Sequence, residues 1–172
     1  MGKKILIIRS VSFQQLDKNL GPLKEMFAAP DTIFYLLTHA HGIERAGQYG
    51  LFTEIIDYET RKNFSFFHMP RRLKEEIFEA VIVPVTNKSG AGFLNVFLAV
   101  LRMKTGEIYG CTPASDIWLI SRPQILSRLL KAAFFSAIAF VFTLGSLLTL
   151  PFMILYFLYL RKCRPISPSI LF

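Results

Sequence analysis

Residues 132–160 read AAFFSAIAFVFTLGSLLTLPFMILYFLYL, 29 residues without a charged side chain. Lys131 closes the run on one side, and Arg161, Lys162 and Arg164 close it on the other. A bilayer core of about 30 Å needs roughly 20 apolar residues in a helix. The run exceeds that, so tilt, a kink or a bend has to absorb the surplus. Gly145-Ser146 and Pro151 lie near its middle; proline removes a helical hydrogen bond, and Gly/Ser pairs favour kinks. Two topologies follow: one bent span, or a re-entrant hairpin with both ends on the same side. Arg122, Arg128 and Lys131 precede the run and three basic residues follow it, so the bias toward positive charge in cytoplasmic loops does not choose between them. In either case the stretch is a membrane anchor, and the residues before it are what it holds at the surface.

The whole chain has 172 residues, a net charge of +8 and 52% hydrophobic residues, with a mean hydropathy of +0.41. Residues 1–130 suffice for one compact domain and fall short of two. They carry 16 basic and all 12 acidic side chains. The remaining basic excess flanks the apolar run, where juxtamembrane Lys and Arg suit anionic lipid surfaces. No nucleic-acid-binding signature accompanies the charge, so nucleic acid is not an expected partner. The two cysteines, Cys111 and Cys163, stand on opposite sides of the anchor with no CxxC or Cys/His cluster. That fits a reducing compartment and predicts no metal site. The opening MGKKILIIRS has only four apolar residues before Arg9, too few for the apolar region of a signal peptide. The soluble domain is therefore expected in the cytoplasm.

Working back from the anchor, Ile5–Ile8 is a short β-branched apolar run, the pattern of a strand buried on both faces. Strands are likewise expected at 32–37, 54–58, 80–85 and 107–111. Helices are expected at about 19–29, 43–49, 70–78 and 93–103, with Pro70 at the first helical position. This alternation predicts an α/β fold: a Rossmann-like parallel sheet of about five strands with flanking helices, plus a C-terminal transmembrane or re-entrant helix. The expected divisions are 1–115 for the sheet domain, 116–131 for a juxtamembrane linker, 132–160 for the membrane helix and 161–172 for a basic tail. The linker, DIWLISRPQILSRLLK, reads as an interfacial amphipathic segment with Trp118 at headgroup level, or as a last helix docked on the sheet.

Ligands of open α/β sheets bind beyond the carboxyl ends of the strands. After the first strand stand Arg9, Ser10 and Ser12, able to hold an anion where a helix begins, or simply to form a solvated turn. After the fourth, Asn87-Lys88-Ser89-Gly90-Ala91-Gly92 brings glycine-flanked amides together with Lys88 and Ser89; the bland alternative is helix capping by Asn87 or Ser89. His39 and His41 follow the second strand, with Glu44 as the one nearby carboxylate. Either is a conceivable general base, and a polar loop is the plainer reading. Residues 61–72 mix Arg61, Lys62, Arg71 and Arg72 with Phe64, Phe66 and Phe67. This suits a membrane-grazing loop, against a connection whose phenylalanines merely pack. No carboxylate pair or nucleophile–base spacing identifies a reaction.

The order KKILIIR, TIFYLLT, EIIDYET, LKEEIFEAVIVPV, FLNVFLAVLRMKTGEIYG, over residues 3–111, resembles the N-terminal half of GT-B glycosyltransferases, with the ADP-heptose:lipopolysaccharide heptosyltransferases as the nearest family. The resemblance implies an acceptor-binding domain. That family carries Ser-Ser-x-Gly-Asp after its first strand, and here Ser10-Val11-Ser12-Phe13-Gln14-Gln15 stands instead. Asp17 comes two residues late and without the glycine. The nucleotide-sugar half of the family has no counterpart before the apolar run. The expectation is therefore a subunit that does not catalyse alone, with His39 or Asp17 as base if it does. The implied partners are membrane lipid, a lipid-linked or sugar-phosphate acceptor and a catalytic glycosyltransferase subunit; no cofactor is implied. The implied place is the bacterial inner membrane, with the sheet domain in the cytoplasm, working in cell-surface polysaccharide or lipid-linked glycan assembly. The anchor from Leu147 to Phe172 is in turn similar to the opening of bacterial monotopic phosphoglycosyl transferases, which implies a re-entrant topology. The membrane interface is expected at Phe64, Phe66, Phe67, Arg71, Arg72, Trp118, Arg122, Arg128, Lys131, Arg161 and Lys162.

Overall fold

The structure, a computed structural model, describes residues 2–59, 64–90 and 92–163. Thr60, Arg61, Lys62, Asn63, Ala91 and the tail from Arg164 onward lie outside the described residues. The chain forms two units, Met1–Arg128 and Leu129–Phe172.

The first unit is α/β. In order come β1 (Lys4–Ile8), α1 (Phe13–Met26), β2 (Ile33–Thr38), α2 (Ile43–Gly47), β3 (Glu54–Asp57) and α3 (Arg71–Glu75). Then follow β4 (Ile77–Pro84), α4 (Leu94–Val100), β5 (Lys104–Cys111), β6 (Ile117–Leu119) and the start of α5 (Arg122–Cys163). The strands make one sheet in the order β3-β2-β1-β4-β5-β6. The first five pair in parallel, as their helical crossovers require. Successive side chains of a strand face opposite ways. Ile5, Ile7, Phe34, Leu36, Ala80 and Ile82 therefore join α1 on one face. Leu6, Ile8, Leu37, Val81 and Val83 join α4 on the other. Both faces are covered, which is why β1 and β4 read as unbroken apolar runs.

Three features depart from the expectation. First, α1 begins at Phe13, not near Asn19. Ser12 caps it, its hydroxyl accepting from the Gln15 amide at 3.4 Å, so Ser12-x-x-Gln15 has the spacing of a capping box. Pro22 inside α1 leaves the Lys18 carbonyl without its helical donor, and the Ser115 hydroxyl donates to that carbonyl at 3.3 Å. Second, the sheet has a sixth strand. Residues 112–116 form a tight turn, with Thr112 N–H donating to Asp116 O at 3.0 Å. So short a connection can only join antiparallel neighbours, and β6 pairs Gly110 with Trp118 and Cys111 with Ile117. Third, α3 is a single short turn, capped by Pro70. Residues 77–79 belong to β4.

The hairpin also sets the path of α5. Ser121 opens it with a second capping box: Gln124 N–H donates to Ser121 Oγ and Ser121 N–H donates to Gln124 Oε1. Arg122 Nη2 donates to the Met103 and Thr105 carbonyls, at the amino end of β5. Six residues on, Arg128 lies against Gly90, just past the carboxyl end of β4. The first two turns of α5 thus climb from the amino edge of the sheet to its carboxyl edge, with Ile125 buried in the core.

The second unit continues α5. No break occurs at Gly145, Ser146 or Pro151. The hydroxyls of Thr143, Ser146 and Thr149 donate to helix carbonyls behind them, Ser146 to Phe142 O at 2.9 Å, so polar side chains here bond within the helix. The helix is long and apolar enough to cross a membrane, and none of its most apolar window is buried. It is therefore no core helix, and its apolar surface suggests membrane association. The uninterrupted helix gives the re-entrant alternative no bend. From Lys131 to Arg161 it rises about 45 Å, the thickness of a bilayer with its headgroup layers.

Candidate functional site

The order β3-β2-β1-β4 places a topological switch point at β1, the position where crossovers diverge and leave a crevice above the carboxyl edge. A cleft of about 360 Å³ occupies it. The segment after β1 contributes Arg9, Ser10 and Val11; the segment after β2 contributes His39 and His41. Phe64 comes from the β3–α3 connection, and Gly92, Phe93, Asn95 and Val96 from the start of α4.

Arg9 is the centre of the cleft. Its Nε donates to the buried Thr38 hydroxyl at 2.6 Å, and its guanidinium lies 4.6 Å from the centroid of Phe13. Its Nη2 stands 3.0 Å from His41 Nε2. Guanidinium only donates, so this contact requires His41 Nε2 to accept and its proton to sit on Nδ1. No carboxylate pairs with Arg9 among the described residues. Burial alone pushes its pKa down from the ordinary value, the signature of a cation that has lost water without gaining a counter-charge. Gly42 makes this packing possible: a Cβ there would meet Thr38 Oγ1 at 2.5 Å and Arg9 Nε at 3.2 Å. The 3₁₀ turn Ala40–Gly42 brings His39 and His41 into a stack, ring centroids 5.7 Å apart. His39 also meets Phe64 at 4.8 Å and Tyr58 at 5.4 Å. Ser10 donates to the Pro84 carbonyl and Gln15 Nε2 to the Val85 carbonyl at 3.0 Å, which ties the end of β1 to the end of β4. Asn95 Nδ2 donates to the Phe64 carbonyl at 2.8 Å, anchoring the aromatic wall.

Of the expected site residues, the structure brings the binding candidates Arg9 and Ser10 together with the base candidate His39. It does not bring Lys88, Ser89, Ser12 or Asp17 into the cleft. Lys88 Nζ pairs with Asp116 at 3.1 Å across to the β5–β6 turn. Ser89 donates to Asn87 Oδ1, and Phe93 stands at the N-cap of α4 with no side-chain cap bond. Ser12 is a helix cap. Asp17 accepts from the Tyr49 hydroxyl on the outer side of α1, so it is no base for this cleft. Asn95, Phe64 and Val96 were missed as lining residues. They meet β1 and β2 only through tertiary packing, and no local spacing announces them. No group of three metal-ligating side chains occurs among the described residues, so Glu44 does not complete a site with the histidines.

The expected interface residues also divide. Phe64 is 5% exposed, between His39 and Tyr58; it packs in the core and faces no membrane. Phe67 is 78% exposed, and Phe66 lies under Arg102. Arg72 forms a bidentate pair with Glu54, and Arg71 pairs with Glu75 at 2.8 Å. Trp118 sits in β6, its ring over Gly110, because the hairpin turns residues 117–119 into an edge strand; it is not in an amphipathic helix. Arg122 and Arg128 are held in the sheet unit, so residues 116–131 are no free linker. Lys131, Arg161 and Lys162 are exposed on the apolar helix, at its two ends.

No protein-family model matches the chain, and neither the curated proteins nor the solved structures contain a detectable match.

Proposed function

We propose that the chain is a membrane-anchored, glycosyltransferase-like subunit of bacterial surface-polysaccharide or lipid-linked glycan assembly. It binds the anionic group of an acceptor in the switch-point cleft and presents it to a catalytic partner. The observation that carries this reading is Arg9: a guanidinium partly withdrawn from water, without a carboxylate among the described residues, in a cleft where α/β sheets bind ligands. Charged donors such as arginine favour phosphate geometrically and electrostatically. The acceptor side is favoured by the resemblance of residues 3–111 to the acceptor half of GT-B enzymes, and the long apolar helix supports the anchor. In this reading Arg9 holds the phosphate. His41 orients Arg9 through its Nε2, while Phe64 and Phe93 hold the apolar part.

Titration calorimetry on the detergent-solubilised chain with glucose 1-phosphate, against glucose as control, tests the reading. The phosphate form should bind and glucose should not. Arg9→Ala should weaken binding about tenfold or more, the value of one charge-assisted hydrogen bond. Equal binding by the Arg9 variant would sink it. One observation favours a second reading, an enzyme active by itself with His39 as its base: His39 lines the cleft. Turnover of a nucleotide sugar by the purified chain, abolished by His39→Ala, would establish that alternative.

A further inference from the structure

We propose that the anion received by the cleft is the phosphomonoester headgroup of a lipid in the bilayer that the chain itself enters, and that Arg128 is a second contact for it. The proposal rests on the anion-binding reading of the cleft and adds the source of the anion and a further binding residue. Three observations meet here. The lining is mixed: the polar Arg9, Ser10, His39, His41 and Asn95 stand together with the apolar Val11, Phe64, Phe93 and Val96. A free sugar phosphate would set hydroxyls against those apolar residues, and burying them without partners is unfavourable; a phosphate carried on hydrocarbon matches both kinds of lining.

The second observation is where the sheet unit ends. α5 starts at the amino edge, where Arg122 holds the Met103 and Thr105 carbonyls. By Arg128, the last residue of the unit, it has reached Gly90, two residues before Gly92 of the cleft. The apolar segment follows directly in sequence. Whatever direction it takes, its covalent root is on the edge that carries the cleft.

The third observation is Arg128 itself. Among the described residues its Nη1, shielded from solvent, has no hydrogen-bond partner, and Arg128 forms no ion pair. Gly90, at φ +66°, leaves space for it; a Cβ there would stand 2.9 Å from Nη1. Two guanidiniums without carboxylates on one edge suit a group that carries up to two negative charges, as a phosphomonoester does and a phosphodiester does not.

The test uses the full chain in nanodiscs, with amide hydrogen exchange read at 10–13, 39–43 and 92–97. Phosphatidylcholine discs doped with phosphatidic acid should slow exchange there relative to phosphatidylcholine alone. Doping with phosphatidylglycerol, which is anionic but a diester, should not. Glucose 1-phosphate added to undoped discs should protect less than phosphatidic acid. Arg9→Lys and Arg128→Gln should each lose the protection, and Arg71→Gln, which removes an exposed charge elsewhere, should keep it. Protection by the soluble phosphate with none by phosphatidic acid overturns the lipid source and leaves the anion site standing. Protection by neither removes both readings. Equal protection by phosphatidylglycerol overturns the phosphomonoester assignment, and full protection in Arg128→Gln overturns the role of Arg128.

Discussion

Cys111 shows what the sheet demands of a single side chain. It ends β5 fully buried, and burial first, then the nearby Asp116, pushes its thiol from the usual 9 up to about 11. A group whose folded pKa is raised contributes stability that is complete below the unfolded value and lost as pH climbs through the folded one. The chain should therefore lose about 2 kcal/mol between pH 9 and 11 through Cys111 alone. Tyr109, pushed to about 12 by its hydrogen bond to Glu107 and then by burial, adds a later loss of the same sign. Denaturant unfolding at a series of pH values should show Cys111→Ala escaping the earlier decline; parallel curves for both proteins would refute the assignment. At this scale the cleft was half legible. Arg9 and Ser10 follow a strand directly, so the strand that the sequence announces also places them at the carboxyl edge. Asn95 and Phe64 lie 31 residues apart and meet through one hydrogen bond. Their position depends on how α4 folds back over the sheet, which no local pattern encodes. Lys88 looked equally suitable on paper, but Asp116 reaches it across a hairpin that was not foreseen.

Among the elements, β6 and the first turns of α5 carry most of what the sequence concealed. A three-residue strand has too few positions for its alternation to stand out from an amphipathic helix. The capping pattern Ser121-x-x-Gln124 was present as a signal and marks where the helix begins. The same holds for Ser12-x-x-Gln15 in α1. The parallel strands were legible because burial on both faces forces uninterrupted Ile, Val and Leu. Docking of α5 makes a clear prediction. Ile125 is 1% exposed and Leu126 is 52% exposed. Ile125→Ala should destabilise the sheet unit by about 2–4 kcal/mol through lost burial and the cavity left behind. Leu126→Ala should stay within about 0.5 kcal/mol in detergent, as surface changes do. Thermal unfolding followed by circular dichroism separates the two, and equal effects would mean that these turns do not hold the sheet as described.

For the whole molecule, the division into a sheet unit and an apolar helix was legible from one property, the absence of charge over residues 132–160. The helix runs without interruption through Gly145, Ser146 and Pro151. Measured between Lys131 and Arg161, the helix rises about 45 Å, which matches the core together with its headgroup layers. Cysteines introduced at Lys131 and Lys162 in a cysteine-free background should therefore be labelled by impermeant maleimide from opposite sides of sealed vesicles. Labelling from one side only would restore the hairpin. The short edge strand has a mechanical consequence as well. Any pull on the helix must enter the sheet through the capped turns of α5 and then through β6, which has only three pairings with β5. Those pairings share the load with the buried Ile120 and Ile125 and with the hydrogen bonds of Arg122 to the Met103 and Thr105 carbonyls. Tension along the helix would therefore reach the antiparallel edge of the sheet, β5 and β6, before the parallel strands that carry the cleft.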